Sequence, residues 1–319
     1  MRVSTILLAA AATLALSGTA YAASHSECKP SKWGADDEIG AANYVTPERT
    51  LAAMKLVKKG ESHPLGIVID SSTPAFPPRS LSLQVVQPGQ HNGRGLAQDF
   101  GWDSVYNDDL IQTWIGIGSQ LDGLGHLGEA GMYYNCNKAT ELASITGLKK
   151  LGTHNVPPMI ARAVLVNMAK HKGVETMAAG DQISSDDLKA AMKAQGITVN
   201  EGDIVLIHTG WTDGMLEKDP KAWVSGEPGI TNEAAKWLSS LNLMAVGADT
   251  WGVDVVPPAK GDKVFYGHVH LLMETGTYIL ETMNTGRLAA EGVTEFAFVL
   301  GQARIRGTVQ AIINPVAMW

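Results

Sequence analysis

The chain has 319 residues, with 25 Lys and Arg against 32 Asp and Glu and a formal net charge of −7. The acidic balance and the lack of a Lys/Arg cluster argue against nucleic acid as a partner, and the length is enough to bury a full core. A small molecule is the expected partner.

The first residues, "MRVSTILLAAAATLALSGTAYAASHSECKP", combine Arg2, an apolar run from Ile6 to Leu16 and the small-x-small triplet Ala20-Tyr21-Ala22. This is the grammar of a secretory signal peptide, so residues 1–22 are expected to be removed and 23–319 to form one exported, periplasmic domain. After residue 22 no stretch is apolar enough to span a membrane. Cys28 and Cys136 are free to pair in an oxidising compartment, or to remain two thiols.

Helices and strands alternate from there. "TPERTLAAMKLVKKG" has Thr46 as N-cap, Pro47 at the first helical position, Leu51, Met54 and Val57 at helical spacing, and Gly60 as a stop. "SSDDLKAAMKAQG" repeats that pattern with Ser184 or Ser185 as cap and Gly196 as stop, and "TNEAAKWLSSLN" does so from Thr231. Strands are expected at 65–70, 81–86, 162–168, 203–209, 243–249, 277–281, 295–301 and 304–312. Runs such as "DIVLI" and "LMAVGA" lack alternation, which fits strands covered on both faces and an α/β core. The Pro-rich stretches "TPAFPP", "VPP", "GEPG" and "VVPP" read as loop punctuation.

No serine-hydrolase elbow, phosphate loop, HExxH or paired CxxC occurs, and "GIGSQL" lacks the third glycine of a dinucleotide fingerprint. Chemistry therefore rests on Asp, His and Glu. In "LDGLGH", Gly123 and Gly125 allow a tight loop that turns Asp122 and His126 toward one point, an O/N pair suited to zinc or manganese or, more plainly, a hydrogen bond closing a turn. The second cluster is "YGHVHLLMETGTYILE". An extended "GHVH" points His268 and His270 to one face and a helix separates them, while Glu281 ends a strand. His154 and His208 stay open between structural and ligand-touching roles.

The ordered segments "WGADDEIGAAN", "SQLDGLGH", "PPMIARAVLVNMAKHKGV", "GDIVLIHTGW", "GADTWGVDVVP", "HVHLLMETGTYILE" and "INPVAM" resemble the cyclase family of metal-dependent hydrolases, which includes kynurenine formamidases and isatin hydrolases. The resemblance implies a swivelling β/β/α domain, a mixed-sheet α/β core with flanking helices, assembled as dimers or tetramers. Against the family signature HxGTHxDxxxH, Asp122 and His126 match, Gln120 replaces the second histidine, and Gly116 or Ile117 stands at the first. The form "SQxDGLGH" resembles a longer branch of the family. The resemblance implies a divalent metal, zinc or manganese, on Asp122, His126, His268 and Glu281, with Gln120 as weak ligand or substrate donor.

The expected reaction is hydrolysis of a small carbonyl compound, an aryl formamide or cyclic amide, by metal-activated water with His126 or Glu281 taking the proton. Trp33, Trp114, His208 and Trp251 are candidates for the substrate wall. Asp249 is expected to orient a ligand histidine or to cap the following turn. Lactone hydrolysis, dehydration and simple binding on a decayed metal scaffold are the alternatives.

Overall fold

The computed structural model describes residues 28–86, 101–102 and 107–319. The expected signal peptide lies outside the described residues. Among them no helix is long and apolar enough to cross a membrane.

The centre is a nine-stranded mixed sheet. Its strands are β1 (Ser62–Pro64), β4 (Gln120–Asp122), β5 (Met159–Asn167), β6 (Ile204–His208), β7 (Ala245–Ala248), β8 (Tyr278–Glu281), β9 (Glu295–Leu300), β10 (Gln310–Ile312) and β11 (Val316–Met318). A separate hairpin pairs β2 (Leu81–Val86) with β3 (Asp108–Thr113). The order across the main sheet is β1-β11-β9-β5-β6-β7-β8-β4-β10. Strands β5 to β8 run parallel, and the flanking strands are antiparallel. Every residue of β6, β7 and β8 is buried, as the unalternating runs require of strands covered on both sides.

Three capped helices flank this sheet. In α1 (Pro47–Met54) the Thr46 side chain accepts from Arg49 N. In α2 (Ser185–Gln195) Ser184 and Asp187 form a reciprocal capping box and Gly196 ends the helix at φ +68°. In α3 (Asn232–Ser240) Thr231 accepts from Ala234 N. Their starts follow the sequence pattern, but α1 stops at Met54 rather than Gly60. The amides of Lys59 and Glu61 bond to Trp319 O, which draws the chain off the helical path. Nor does the expected apolar stripe face the core: Leu51 is 63% exposed, and it is Ala53 that is buried.

Residues 65–70 form no strand. The amides of Leu65, Gly66 and Ile67 are taken one at a time by Pro315 O, Asn314 Oδ1 and Ser119 Oγ, so no ladder develops. Of the strand expected at 304–312 only Gln310–Ile312 pairs. Cys28 and Cys136 are joined as a disulfide, with Cα atoms 5.4 Å apart.

Candidate metal centre

The centre begins with a register. β4 lies antiparallel between β8 and β10, placing Gln120 opposite Glu281 and Asp122 opposite both Ile279 and Gln310. With a side-chain period of two, Gln120, Asp122, Glu281 and Gln310 share one face. Asp122 thus stands on a buried strand and not, as expected, on a loop. The glycines after it serve close packing: a Cβ on Gly123 would lie 2.5 Å from Val309 O, and one on Gly125 2.6 Å from Leu148 Cδ1.

Helix α4 (Tyr266–His268) continues into a π-helical stretch, Val269–Glu274. The two histidines are separated by helical rotation, which settles the alternative left open by the sequence. His268 faces Asp122 and Glu281. His270 turns away to Ser239 Oγ at 2.8 Å and Glu274 Oε2 at 3.1 Å.

His268 Nε2 lies 2.9 Å from Glu281 Oε1 and 3.6 Å from Asp122 Oδ2. One donor atom from each of Asp122, His268 and Glu281 falls within 4.8 Å of the others. Ligands about 2.0–2.2 Å from a tetrahedral ion are separated by roughly 3.3–3.6 Å; the Asp122–His268 pair has that spacing, and the His268–Glu281 pair, joined by a hydrogen bond, is closer. Asp122 Oδ1 accepts from Gln310 Nε2 at 2.7 Å, while Asp122 Oδ2 and Gln120 Oε1 are buried without a hydrogen-bond partner. Gln120 Nε2 donates to Glu281 Oε2. The orphaned Asp122 Oδ2 facing His268 Nε2, with the Glu281 carboxyl beside them, forms a hard and borderline donor set that fits a divalent cation.

Two further carboxyls surround the cluster. Asp254 Oδ2 accepts from His268 Nδ1 at 2.5 Å and from its backbone amide at 3.1 Å. Glu227 Oε2 accepts from Gly252 N at 3.0 Å, and its other oxygen has no partner. Burial pushes the Glu227 carboxyl well above its ordinary range. Burial, then the charge of Asp122, pushes Glu281 up to about 7. For His268 burial acts downward, but the bonds to Asp254 and Glu281 outweigh it and hold the imidazole well above its ordinary value. Four buried carboxyls around one imidazole form a site that favours positive charge.

His126 lies beside this group, with Nε2 3.7 Å from Asp122 Oδ2, and does not join the three donors that converge. Burial lowers it, opposed by Asp122 and aided by the charges of His268 and Arg79. An aromatic wall adjoins the other side. The Phe265 ring centroid is 5.5 Å from that of His268, Trp251 is 6.1 Å from Phe265, and Phe76 is 5.7 Å from Trp251. Arg79 donates from Nη1 to Gly116 O at 2.9 Å.

A model of the family named Cyclase matches residues 62–255. The chain belongs to the cyclase family. A crystal structure described as that of a novel cyclase is 31% identical, with a TM-score of 0.80 over 90% of this chain and 98% of that one. Isatin hydrolase A from Ralstonia solanacearum is 18% identical at a TM-score of 0.60, covering 86% of this chain and 97% of its own. Isatin hydrolase A from Labrenzia aggregata, bound to benzyl benzoate, is 17% identical at a TM-score of 0.58, covering 85% and 98%. These last two share the fold. No curated protein sequence matches the chain. As a member of the cyclase family, the chain carries Asp122 inside the matched segment, whereas His268 and Glu281 lie beyond it.

The other expected site residues are dispersed. Trp251 joins the aromatic wall. Trp33 packs edge-on against Tyr44 at 5.4 Å, and Trp114 is 53% exposed beside a surface groove lined by Thr308, Val309 and Gln310. His208 Nδ1 meets Thr285 Oγ1 at 2.8 Å, and His154 Nδ1 accepts from Gly307 N at 3.2 Å. Asp249 neither orients His268 nor caps the turn after it; its oxygens accept from Thr209 N and Gly210 N and pin the turn behind β6. Asp254, Glu227, Phe76, Phe265 and Arg79 were not expected. Asp254 gave a signal, as a lone carboxylate within the apolar run "WGVDVVP".

Proposed function

We propose that this protein is a metal-dependent hydrolase cutting a C–N or C–O bond in a small carbonyl compound, with an aryl formamide or cyclic amide as its substrate. The observation that carries the reading is the convergence of Asp122, His268 and Glu281 within 4.8 Å on a buried face. In this reading the three hold zinc or manganese, with Gln120 Oε1 as a further donor. When bound, such an ion supplies Lewis acidity that makes water nucleophilic near neutral pH and polarises a carbonyl.

The chain's own residues do the remaining work. Asp254 accepts the Nδ1 proton of His268 and so turns the Nε2 lone pair into the centre. Gln120 steadies Glu281 through its amide. His126 stands next to Asp122 without entering the donor group, which leaves it as the base that takes a proton at Nε2 from attacking water. Phe265, Trp251 and Phe76 exclude water and face an aromatic substrate. Export is part of the proposal, and the Cys28–Cys136 disulfide supports it, because such bonds persist in oxidising compartments.

Elemental analysis of protein purified without chelator tests the metal. About one equivalent is expected, with chelation abolishing hydrolysis and added zinc or manganese restoring it. N-formylkynurenine, isatin and simple lactones then separate amide from ester cleavage. A preparation that holds no metal, is not rescued by either ion and still binds these compounds would instead be a small-molecule binder.

A further inference from the structure

We propose that Arg79 is the site's anion receptor, so that the preferred substrate is a small aromatic carbonyl compound bearing a carboxylate. The bond that is cut rests on the hydrolase reading above; the recognition of the anion does not.

A single turn carries the argument. Arg79 N donates to Phe76 O at 3.1 Å, so "FPPR" projects two side chains from one bend. The Phe76 ring reaches Trp251 and Phe265, 5.7 and 6.2 Å away between centroids. The guanidinium reaches Gly116, where the missing side chain makes room for it. A Cβ there would sit 2.6 Å from both Arg79 Cζ and Nη1, and 2.9 Å from Gln120 Oε1. Guanidinium and Gln120 amide therefore meet over one point, and that amide bonds to Glu281.

Among the described residues the guanidinium makes one hydrogen bond, from Nη1 to Gly116 O, and it carries five N–H donors in all. Among the described residues no carboxylate forms an ion pair with Arg79. Arg79 supplies a positive charge beside the centre in the planar, two-pronged form that suits a carboxylate.

The test uses the full metal-loaded chain and two probes of equal shape, benzoate and benzamide, titrated calorimetrically. Relative to wild type, R79A is expected to lose roughly ten- to hundredfold in benzoate affinity, the size of a charge-assisted hydrogen bond, with benzamide and metal content unchanged. Should R79A fold poorly, R79Q, which keeps a donor for Gly116 O and removes the charge, is expected to show the same selective loss. R79K is expected to retain part of the affinity. Benzoate binding that is equal in wild type and R79Q would overturn the proposal, as would equal losses for both probes. A chain that holds metal and hydrolyses neutral amides, yet shows no Arg79-dependent benzoate binding, defeats this inference alone. The converse result defeats only the hydrolase reading.

Discussion

Asp122, His268 and Asp254 illustrate how much depends on which oxygen a carboxylate commits. Asp122 gives Oδ1 to Gln310 and keeps Oδ2 for the centre, whereas Asp254 gives Oδ2 to His268 Nδ1 and Oδ1 to Gly267 N. Replacing Asp122 by Asn removes a charged donor, and we expect D122N to lose bound metal, measured by elemental analysis, while its circular dichroism is unchanged. Asp254 only orients a ligand, so D254N should weaken metal affinity by about ten- to hundredfold in a competitive chelator titration. H126A should keep its metal and lose most activity. Loss of metal in H126A would return His126 to the donor set. Motif spacing singled out Asp122 in the sequence and the family resemblance implied His268 and Glu281, while the residues alone left His268 and His270 open. Glu227 and Arg79 were not legible, because each is a single residue whose placement depends on distant backbone, and Asp254 showed only as a lone carboxylate in an apolar run.

Helix grammar transferred well at the level of elements. Caps act between residues three or four apart, so Thr46, Ser184 and Thr231 could be read locally. S184A should cost about 1 kcal/mol and lower the melting temperature by a few degrees. Partial burial would raise Asp187, but hydrogen bonds from Lys172 and Ser184 bring it down to about 2. Because its folded value lies below the ordinary one of 3.8, its contribution is present above about pH 4–5 and disappears as pH falls toward 2. Melting curves of wild type and D187N should therefore converge across that interval. Element ends were less legible. α1 stops early because Trp319, at the other end of the chain, captures the amides of Lys59 and Glu61. A Cβ on Gly123 would press on the Val309 carbonyl, a rigid neighbour, and G123A is expected to destabilise the fold by about 1–3 kcal/mol in urea unfolding.

The molecule as a whole is tied by contacts of long sequence separation. Cys28 and Cys136 are 108 residues apart, and closing a loop of that length is worth up to about 4–5 kcal/mol in the chain-entropy account. Reductant should lower the urea midpoint of the wild type and leave a C28S/C136S variant unaffected. The β2–β3 hairpin leaves Leu83, Val85, Leu110 and Ile111 more than half exposed. Together with the dimers or tetramers implied by the family resemblance, this leads us to expect a homo-oligomer. Light scattering on the wild type and an L83D/I111D variant checks it, with the variant shifting to a smaller species.

By itself the sequence determined the alternation of elements, the helix starts, the α/β class and the pairing of an Asp-His stretch with a later His-Glu stretch. All of these are carried by periodicity, by short-range hydrogen bonds or by motif spacing. Only the tertiary structure decided that Asp122 lies on a strand, that His268 rather than His270 faces Glu281, and that Asp254, Phe76 and Arg79 stand beside them. Each of those depends on strand register or helix phase between segments tens to hundreds of residues apart, where the sum of packing and hydrogen bonding selects one arrangement that no local pattern specifies.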